Sequence, residues 1–300
     1  MMERPYRIMV VDDEDFVRTM LMEMLRKKSY ETAGAANGAD ALAGIAPFDP
    51  DMVISDIIMP GMDGFALMQR IETQYPKIKR ILMTGYDIDS YIDMIRRYNV
   101  GNIIPKGTDF NLDDMGEYIG SLLTGNIFGL EKYFTAGAVE TRLITNEKQA
   151  RSGCATVAQL CSQADRFYFE MALSELVSNA VFHGVLQVTG LPREKWPAEF
   201  SLKTEEAIRI SWAQDDERIG VSVEDPKGNL RKVDVLHWLD HRIDEKVSEN
   251  EHGRGFMLIR RFIDRFIVNI DRSRRTECII LQNRDTTWKN RHKPLLIHEL

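Results

Sequence analysis

The stretch YRIMVVDDEDFVRTMLMEMLRK, residues 6–27, passes from a short apolar run through acidic residues into an amphipathic pattern with helical period. Three later apolar runs have the character of buried parallel strands: DMVISD (51–56), KRILMTG (79–85) and VGNIIPK (100–106). Amphipathic helical patterns cover residues 15–28, 38–45, 65–75, 87–98 and 112–123. This βα alternation predicts an α/β fold, a doubly wound parallel sheet with helices on both faces.

Residues 124–138, TGNIFGLEKYFTAGA, break this rhythm and mark a domain junction. Beyond them the pattern changes to a strand, VETRLITNE (139–147), two helices over 148–162 and 165–185, and a hairpin of AIRISWAQ (207–214) and RIGVSVED (218–225). A helix over 255–267 and the strands FIVNID (266–271) and TECIILQN (276–283) follow. Antiparallel strands with grouped helices predict an α+β two-layer sandwich.

Composition places the chain among globular proteins. It has 300 residues, 44% hydrophobic and 28% charged, which suggests two domains without a membrane-spanning run. The net charge of -7 argues against direct nucleic-acid binding, and Arg260, Arg261 and Arg265 are expected to form a solvated helix face. The three cysteines form no CxxC pair, which fits a reducing cytoplasm.

Acidic residues follow two of the predicted strands. Asp12 and Asp13 come directly after IMVV, and Asp56 after MVIS. Carboxyl ends of parallel strands gather ligands, and clustered carboxylates in an open pocket suit Mg²⁺, beside which Asp56 would act as a nucleophile. Each acid alone could be a helix N-cap. Because Thr84 and Lys106 end two further strands, the set favours a phosphoryl-transfer site.

The segments VVDDE (10–14), DIIMPGMDG (56–64) and MTG (83–85) resemble the receiver domain of two-component response regulators over about residues 5–123. The resemblance implies a flavodoxin-like fold phosphorylated by a cognate sensor histidine kinase. It implies the following roles: Asp56 as phospho-acceptor, Asp12, Asp13 and the backbone carbonyl of Ile58 as Mg²⁺ ligands, Thr84 as the switch hydroxyl, and Lys106 as the cation near the phosphoryl group.

The sequence departs from the receiver pattern at two places. The family usually ends its last strand with Lys then Pro, whereas this chain has Pro105 then Lys106, so we expect Lys106 to reach the site through a bulge or a cis proline. The aromatic residue that often couples the switch hydroxyl to the far surface is replaced by Asn102 and Ile103. Coupling is therefore expected to run differently or more weakly.

A polar stripe marks the helix MALSELVSNAVFHG, residues 171–184. Glu175, Asn179 and His183 recur every four residues and share one face among apolar neighbours. The stripe is either a solvated edge or a functional face. Downstream, Asp225 ends a strand, and EHGRGFMLIRRF (251–262) opens a helix with glycines, an arrangement that suits phosphate binding.

This set resembles the GHKL ATP-binding fold over about residues 138–285, and ELVSNAVFHG most resembles the anti-sigma-factor serine kinases. The resemblance implies Mg²⁺-ATP, with Glu175 as general base, Asn179 on Mg²⁺ and Asp225 on the adenine amino group. For His183 we favour a structural or phosphate-proximal role. Phosphate-facing positions would be Gly253, Arg254 and Gly255, and residues 231–251 would form a flexible lid.

The nucleotide loop carries a further departure. The common pattern after the aspartate is D-x-G-x-G, whereas this chain has DPKGN, residues 225–229, with Gly228 as its displaced glycine. Two interpretations of the second domain follow: an active ATP site, or a degenerate one that serves only protein docking.

Residues 100–182 contain no histidine, which argues against a histidine autokinase. The leading hypothesis is a response regulator (1–123) joined by a linker (124–137) to a serine/threonine kinase domain (138–285) of the anti-sigma type. It would act on an anti-anti-sigma (STAS) partner or a sigma factor. The alternative is a phosphorylation-gated docking module. Homodimerisation suits both families, and residues 286–300 would be a tail, a packed helix or a partner contact.

Overall fold

The structure of the protein, a computed structural model, describes residues 4–106, 112–134, 138–188, 195–239, 254–284 and 293–300. The chain divides into two compact units. The first comprises Met1–Ile127 with His292–Leu295, and the second comprises Phe128–Arg291 with Leu296–Leu300.

The first unit is a parallel sheet wrapped by helices. Its strands are Arg7–Val11 (β1), Glu31–Ala35 (β2), Met52–Asp56 (β3), Lys79–Thr84 (β4) and Asn102–Pro105 (β5). Its helices are Asp15–Lys27 (α1), Gly38–Phe48 (α2), Gly64–Gln74 (α3), Ile92–Arg97 (α4) and Leu112–Thr124 (α5). The strand order β2-β1-β3-β4-β5, with every neighbouring pair parallel, confirms the doubly wound prediction.

The burial of each strand explains whether its sequence pattern predicted it. β3 is buried along its whole length and β1 is buried at four of its five residues, so both read as apolar runs. β2 has the sequence ETAGA and pairs only with β1, at the edge of this sheet. The apolar patterns did not predict β2, because small and polar residues at a half-exposed edge leave no apolar run.

The second unit is a mostly antiparallel sheet with a helical layer. Its strands are Glu140–Ile144 (β6), Ile208–Gln214 (β7), Arg218–Asp225 (β8), Arg265–Asp271 (β9), Arg275–Asn283 (β10) and Leu295–Glu299 (β11). Its helices are Glu147–Ala158 (α6), Gln163–Ser178 (α7), Lys232–Trp238 (α8) and Arg254–Phe262 (α9). The order is β11-β9-β10-β8-β7-β6, and only β9 and β11 pair in parallel. Helix α7 packs on α6 and α9, which confirms the two-layer sandwich.

Several boundaries differ from the sequence expectations. The helix predicted over 255–267 ends at Phe262, because Arg265 already begins β9. Arg260 is only 7% exposed, so the expected solvated basic face was wrong at this position. The predicted C-terminal tail contains a strand, β11, whose apolar residues pair with β9. The polar stretch expected to be a flexible lid contains α8, and its residues 240–251 lie outside the described part of the chain.

All three cysteines are buried and unpaired. Among the described residues, no helix combines the length and apolar character needed to cross a membrane.

Candidate functional sites

The carboxyl edge of the first sheet gathers the three predicted acids. Oxygen atoms of Asp12, Asp13 and Asp56 all lie within 4.8 Å of one another. Asp12 and Asp56 are buried, whereas Asp13 is exposed, so the cluster opens to solvent on one side. Ile58 follows on the loop after β3 and is half exposed. Buried and clustered carboxylates are the donor set that suits a divalent cation with retained waters.

Lys106 reaches this cluster despite its displaced position. Its Nζ lies 2.8 Å from Asp12 Oδ2 and 2.9 Å from Asp56 Oδ2. Pro105 pairs with Thr84 in a continuous β4–β5 register, and the Lys106 N–H donates to the Thr84 carbonyl at 2.6 Å. The described residues contain no cis peptide, so neither the expected bulge nor a cis proline is used. The length of the lysine side chain spans the one-residue displacement.

Electrostatics couple the lysine to both acids. Burial raises the pKa of Asp56, and the hydrogen bond and charge of Lys106 offset part of that rise. Burial alone would lower the pKa of Lys106, but its hydrogen bonds to Asp12 and Asp56 leave that pKa above its ordinary value. Lys106 therefore favours the ionised form of Asp56, against the effect of burial.

The Thr84 hydroxyl, at the end of β4, has two tyrosines as neighbours. It accepts the Tyr86 N–H at 3.0 Å, and the Tyr91 hydroxyl lies beside it. The Tyr91 ring packs near Phe65, with ring centroids 6.2 Å apart. Tyr91 lies on the 3₁₀ turn before α4, outside β5, so the receiver pattern along that strand gives no sign of it.

Asn102, at the place on β5 where the receiver family often carries an aromatic residue, makes a different contact. Its Oδ1 accepts the Tyr118 hydroxyl of α5 at 2.8 Å. The expectation of a different coupling route thus stays a prediction.

The second unit contains a cavity of about 300 Å³ that three predicted residues line together. Asn179 and His183 approach it from one side and Asp225 from β8. Asn179 and His183 do not lie on the predicted regular helix, because α7 ends at Ser178 and continues as a π-helix, Asn179–Val185. Such wider turns occur frequently at functional sites. Asn179 and His183 of the polar stripe therefore face a cavity rather than open solvent.

Asp225 is buried, and its two carboxylate oxygens have different surroundings: one contacts the loop after β8 and the other lies on the cavity side. Oδ1 accepts the N–H groups of Lys227 and Gly228 at 2.9 and 3.1 Å. Oδ2 lies beside Gly184, another cavity-lining residue. Burial raises the pKa of Asp225, and the two backbone hydrogen bonds offset part of the rise. Gly228, with φ +61, turns the displaced loop back onto the aspartate and is not among the described lining residues.

Glu175 lies next to the N-terminus of α9 rather than in the cavity lining. A Cβ at Gly255 would collide with the Glu175 carboxylate, so the two are in close contact. Arg254 begins α9, and Gly253 lies outside the described residues. The Glu175 carboxylate and the start of α9 thus lie side by side.

Two prominent cavity residues were not predicted from the sequence. Thr276 is paired with Asp225 in the β10–β8 register, which brings its side chain near that carboxylate. Its hydroxyl is buried and has no hydrogen-bond partner among the described residues. Trp238 on α8 lies between His183 and Phe256, with ring centroids 5.7 and 5.5 Å away. Strand pairing and the fold of the polar stretch decide both positions, and neither has a signal in a single sequence.

The residues present fit the groups that the fold implies. A buried hydroxyl with unused hydrogen-bonding capacity beside a carboxylate offers a donor and an acceptor to a purine edge, and aromatic rings offer apolar surface to its faces. The acid cluster fits Mg²⁺ in the first unit. In the second unit Asn179 supplies an amide oxygen of the kind that Mg²⁺ accepts.

Comparison with known families agrees with both units. Residues 8–116 match the family model of the response regulator receiver domain, and residues 141–282 match that of the histidine kinase-like ATPase domain. The chain is therefore a response regulator. Its receiver domain is followed by an ATPase domain of the GHKL type.

Curated relatives share one part of the chain. Sporulation initiation phosphotransferase F of Bacillus subtilis (strain 168) is 32% identical over 114 residues, which are 38% of this chain and 90% of that protein. Regulatory protein AtoC of Escherichia coli (strain K12) is 38% identical over 110 residues, 36% of this chain but only 23% of that protein.

Among solved structures, the response regulator TrrA of Thermotoga maritima in complex with Mg²⁺-BeF is 34% identical. The match covers 39% of this chain and 98% of that chain, with a TM-score of 0.36. A signal receiver domain from Pseudomonas fluorescens Pf-5 is 26% identical, covering 42% of this chain and 91% of that chain, with a TM-score of 0.39.

Proposed function

We propose that this response regulator is phosphorylated on Asp56 by a cognate sensor histidine kinase and controls a Mg²⁺-ATP-dependent serine/threonine kinase of the anti-sigma type. The kinase would phosphorylate an anti-anti-sigma (STAS) protein, or the domain would bind a sigma factor, or it would do both. The protein would act in the cytoplasm. The observation that carries the proposal is the convergence of Asn179, His183 and Asp225 on one cavity of about 300 Å³. A helix start and Glu175 lie together in the same unit.

In the receiver, Asp56 would attack the phosphorus of a phosphohistidine, and the histidine nitrogen would leave. Mg²⁺ held by Asp12, Asp13, Asp56 and the Ile58 carbonyl would neutralise the transferred charge. Lys106, already 2.9 Å from Asp56, and the hydroxyl of Thr84 would then bind phosphoryl oxygens. Phosphorylation would shift the populations of receiver conformers and so bias the second domain.

In the second domain, Asp225 would accept the adenine amino group and Asn179 would hold Mg²⁺. The bound nucleotide supplies the γ-phosphoryl group. The hydroxyl oxygen of a partner Ser or Thr would form the new bond to the γ-phosphorus, and ADP would leave. Glu175 would accept the proton of that hydroxyl. Gly253, Arg254 and Gly255 would face the phosphates at the start of α9. His183, packed against Trp196 with centroids 5.0 Å apart, would shape the cavity wall.

Calorimetry of Mg²⁺-ATP binding, with and without beryllofluoride on Asp56, tests the nucleotide site first. We expect binding that changes when Asp56 carries beryllofluoride. Transfer of labelled phosphate from ATP to a STAS protein then tests the chemistry. Glu175→Ala should abolish labelling while it retains ATP and partner binding, and Glu170→Ala, an exposed acid on the same helix, should leave labelling unchanged.

The outcomes separate the two functional classes. Wild-type protein that binds no nucleotide, but binds a protein partner in a beryllofluoride-dependent manner, would favour the phosphorylation-gated docking module. Wild-type protein that binds ATP and labels no STAS partner would exclude kinase activity toward that partner class.

A further inference from the structure

A buried acid on β10 plays no part in the nucleotide cavity. Glu277 is 3% exposed and accepts three hydrogen bonds. Its Oε2 receives the Gly129 N–H at 3.0 Å and the Asn269 amide at 3.2 Å, and its Oε1 receives the Ser222 hydroxyl at 2.9 Å. Asn269 in turn contacts His298 Nδ1 of β11 at 2.7 Å. One carboxylate thus ties the backbone at Gly129 to three strands of the sheet.

Gly129 belongs to the segment that follows the first unit along the chain. We call residues 128–134 the latch segment. Phe128 is buried beneath Arg275, whose guanidinium carbon lies 3.8 Å from the ring centroid. Leu130 is buried, and Phe134 lies so close to β8 that a Cβ at Gly220 would be 2.6 Å from its Cζ. The sheet face is therefore shaped to receive this segment.

The backbone at Gly129 has a conformation that other residues adopt at a cost. Its φ is 105° and its ψ is 131°, a region essentially restricted to glycine. This conformation accompanies the hydrogen bond from its N–H to the buried carboxylate of Glu277. Contacts of the latch segment elsewhere must hold such a backbone in place, and the burial of Phe128 and Leu130 provides them.

The nucleotide cavity lies against the opposite face of the same two strands. Side chains alternate between faces along a strand. On β10, Thr276 and Cys278 line the cavity, and Glu277 between them faces the latch segment. On β8, Val223 lines the cavity and Ser222 bonds Glu277. A displacement of the backbone at Glu277 therefore moves cavity residues directly.

We propose that this second face of the ATPase sheet is a binding surface for the latch segment, and that docking there through Glu277 sets the nucleotide affinity of the cavity. The inference rests on the proposed function for the identity of the nucleotide. Docking holds β8 and β10 in the geometry that places Asp225 and Thr276 around the cavity, so release of the latch segment weakens Mg²⁺-ATP binding. Because such coupling is reciprocal, bound nucleotide also stabilises docking.

Two substitutions of Glu277 in the full chain test this coupling. Glu277→Gln keeps the contacts, since its oxygen can accept from Gly129 and Asn269 while its amide donates to Ser222. In Glu277→Leu the new side chain has a volume similar to that of glutamate but makes none of these hydrogen bonds. We expect hydrogen exchange in residues 126–134 to rise at least about tenfold in Glu277→Leu and its Mg²⁺-ATP dissociation constant to rise at least about fivefold. Glu277→Gln should match the wild type in both.

A change on the latch segment itself controls for damage to β10. Phe128→Ala removes the ring beneath Arg275 and leaves every strand residue unchanged. It should speed exchange in residues 126–134 and weaken Mg²⁺-ATP binding in the same direction as Glu277→Leu. Circular dichroism and the thermal transition establish that each variant is folded.

Faster latch exchange in both variants with a dissociation constant within twofold of wild type would overturn the proposal, and so would unchanged latch exchange. If the wild-type chain binds no Mg²⁺-ATP, the proposed function is refuted, but the coupling can still be tested. Hydrogen exchange in residues 176–184, which include cavity residues, then replaces the dissociation constant as the measurement. A rise in both variants would support control of the cavity by the latch segment, and no change would refute it.

Discussion

The side-chain ammonium of Lys106 lies 2.9 Å from Asp56 Oδ2 and 2.8 Å from Asp12 Oδ2, although proline occupies the preceding position on β5. Both carboxylates are buried, and the lysine offsets their mutual repulsion. The reversed order of Pro105 and Lys106 is therefore compatible with a complete receiver site.

Lys106→Met should lower the free energy of unfolding of the receiver by about 3 kcal/mol, because it leaves two buried carboxylates without their cation. Millimolar Mg²⁺ should restore part of this loss by binding the same acids in the folded state. Urea unfolding with and without Mg²⁺ measures both effects. Lys77→Met, which changes an exposed lysine, should shift stability by less than about 0.5 kcal/mol. Equal stability of both variants would show that the ion pair contributes nothing.

Tyr91→Phe should tighten beryllofluoride binding to Asp56 about fivefold. The substitution removes the phenol hydroxyl that lies beside Thr84, and a hydrogen bond between the two, worth about 1 kcal/mol, would compete with the phosphoryl group for the Thr84 hydroxyl. Calorimetric titration of the Mg²⁺-loaded chain provides the measurement. Tyr86→Phe is the matched control, since Tyr86 donates its backbone N–H to Thr84, which the substitution keeps, and the residue is 61% exposed. The same affinity in both variants would refute this role for Tyr91.

Asp225→Asn should weaken Mg²⁺-ATP binding by at least about tenfold. Asparagine retains an oxygen for the N–H groups of Lys227 and Gly228, but its NH₂ replaces the acceptor on the cavity side, which leaves the adenine amino group unpaired at a cost of about 1–3 kcal/mol. Asp215→Asn is the control, since Asp215 Oδ1 likewise accepts two turn N–H groups on another loop. Undiminished affinity in Asp225→Asn would exclude this aspartate as the adenine ligand.

Glu277→Gln should change how stability depends on pH. Burial raises the pKa of Glu277 above its ordinary 4.5, with Glu224 adding to the rise and the hydrogen bonds of Gly129, Ser222 and Asn269 opposing it. The folded state keeps a proton that the unfolded chain releases, so stability falls as pH rises from 4.5 through the folded pKa.

The glutamine variant lacks this titration. Its advantage over wild type should therefore grow as pH rises through the window and be smallest near pH 4.5. Urea unfolding across that range measures the difference. Glu205→Gln, at an exposed position, should leave the slope unchanged. Parallel curves for wild type and Glu277→Gln would contradict a raised pKa at this buried carboxyl.

The sequence predicted the acid cluster of the receiver more completely than the cavity of the second unit. The receiver acids follow apolar strands directly, and parallel topology brings strand ends to one edge, so the amino-acid sequence alone groups Asp12, Asp13 and Asp56. Asn179 and His183 could be placed on one face by their spacing alone. Their π-helical backbone could not, because a spacing of four residues brings side chains to about the same face in an α-helix and in the wider π-helix.

The amino-acid sequence by itself determined the class of both domains and grouped the three acids of the receiver, because hydrophobic period and short motifs act locally along the chain. Tertiary structure alone decided that Lys106 spans the displacement, that Tyr91 lies beside Thr84, that Thr276 faces Asp225, and that Glu277 accepts a hydrogen bond from the latch segment. Each of these joins residues from different elements. Such contacts depend on strand register and packing, which fix distances between parts of the chain that share no local pattern.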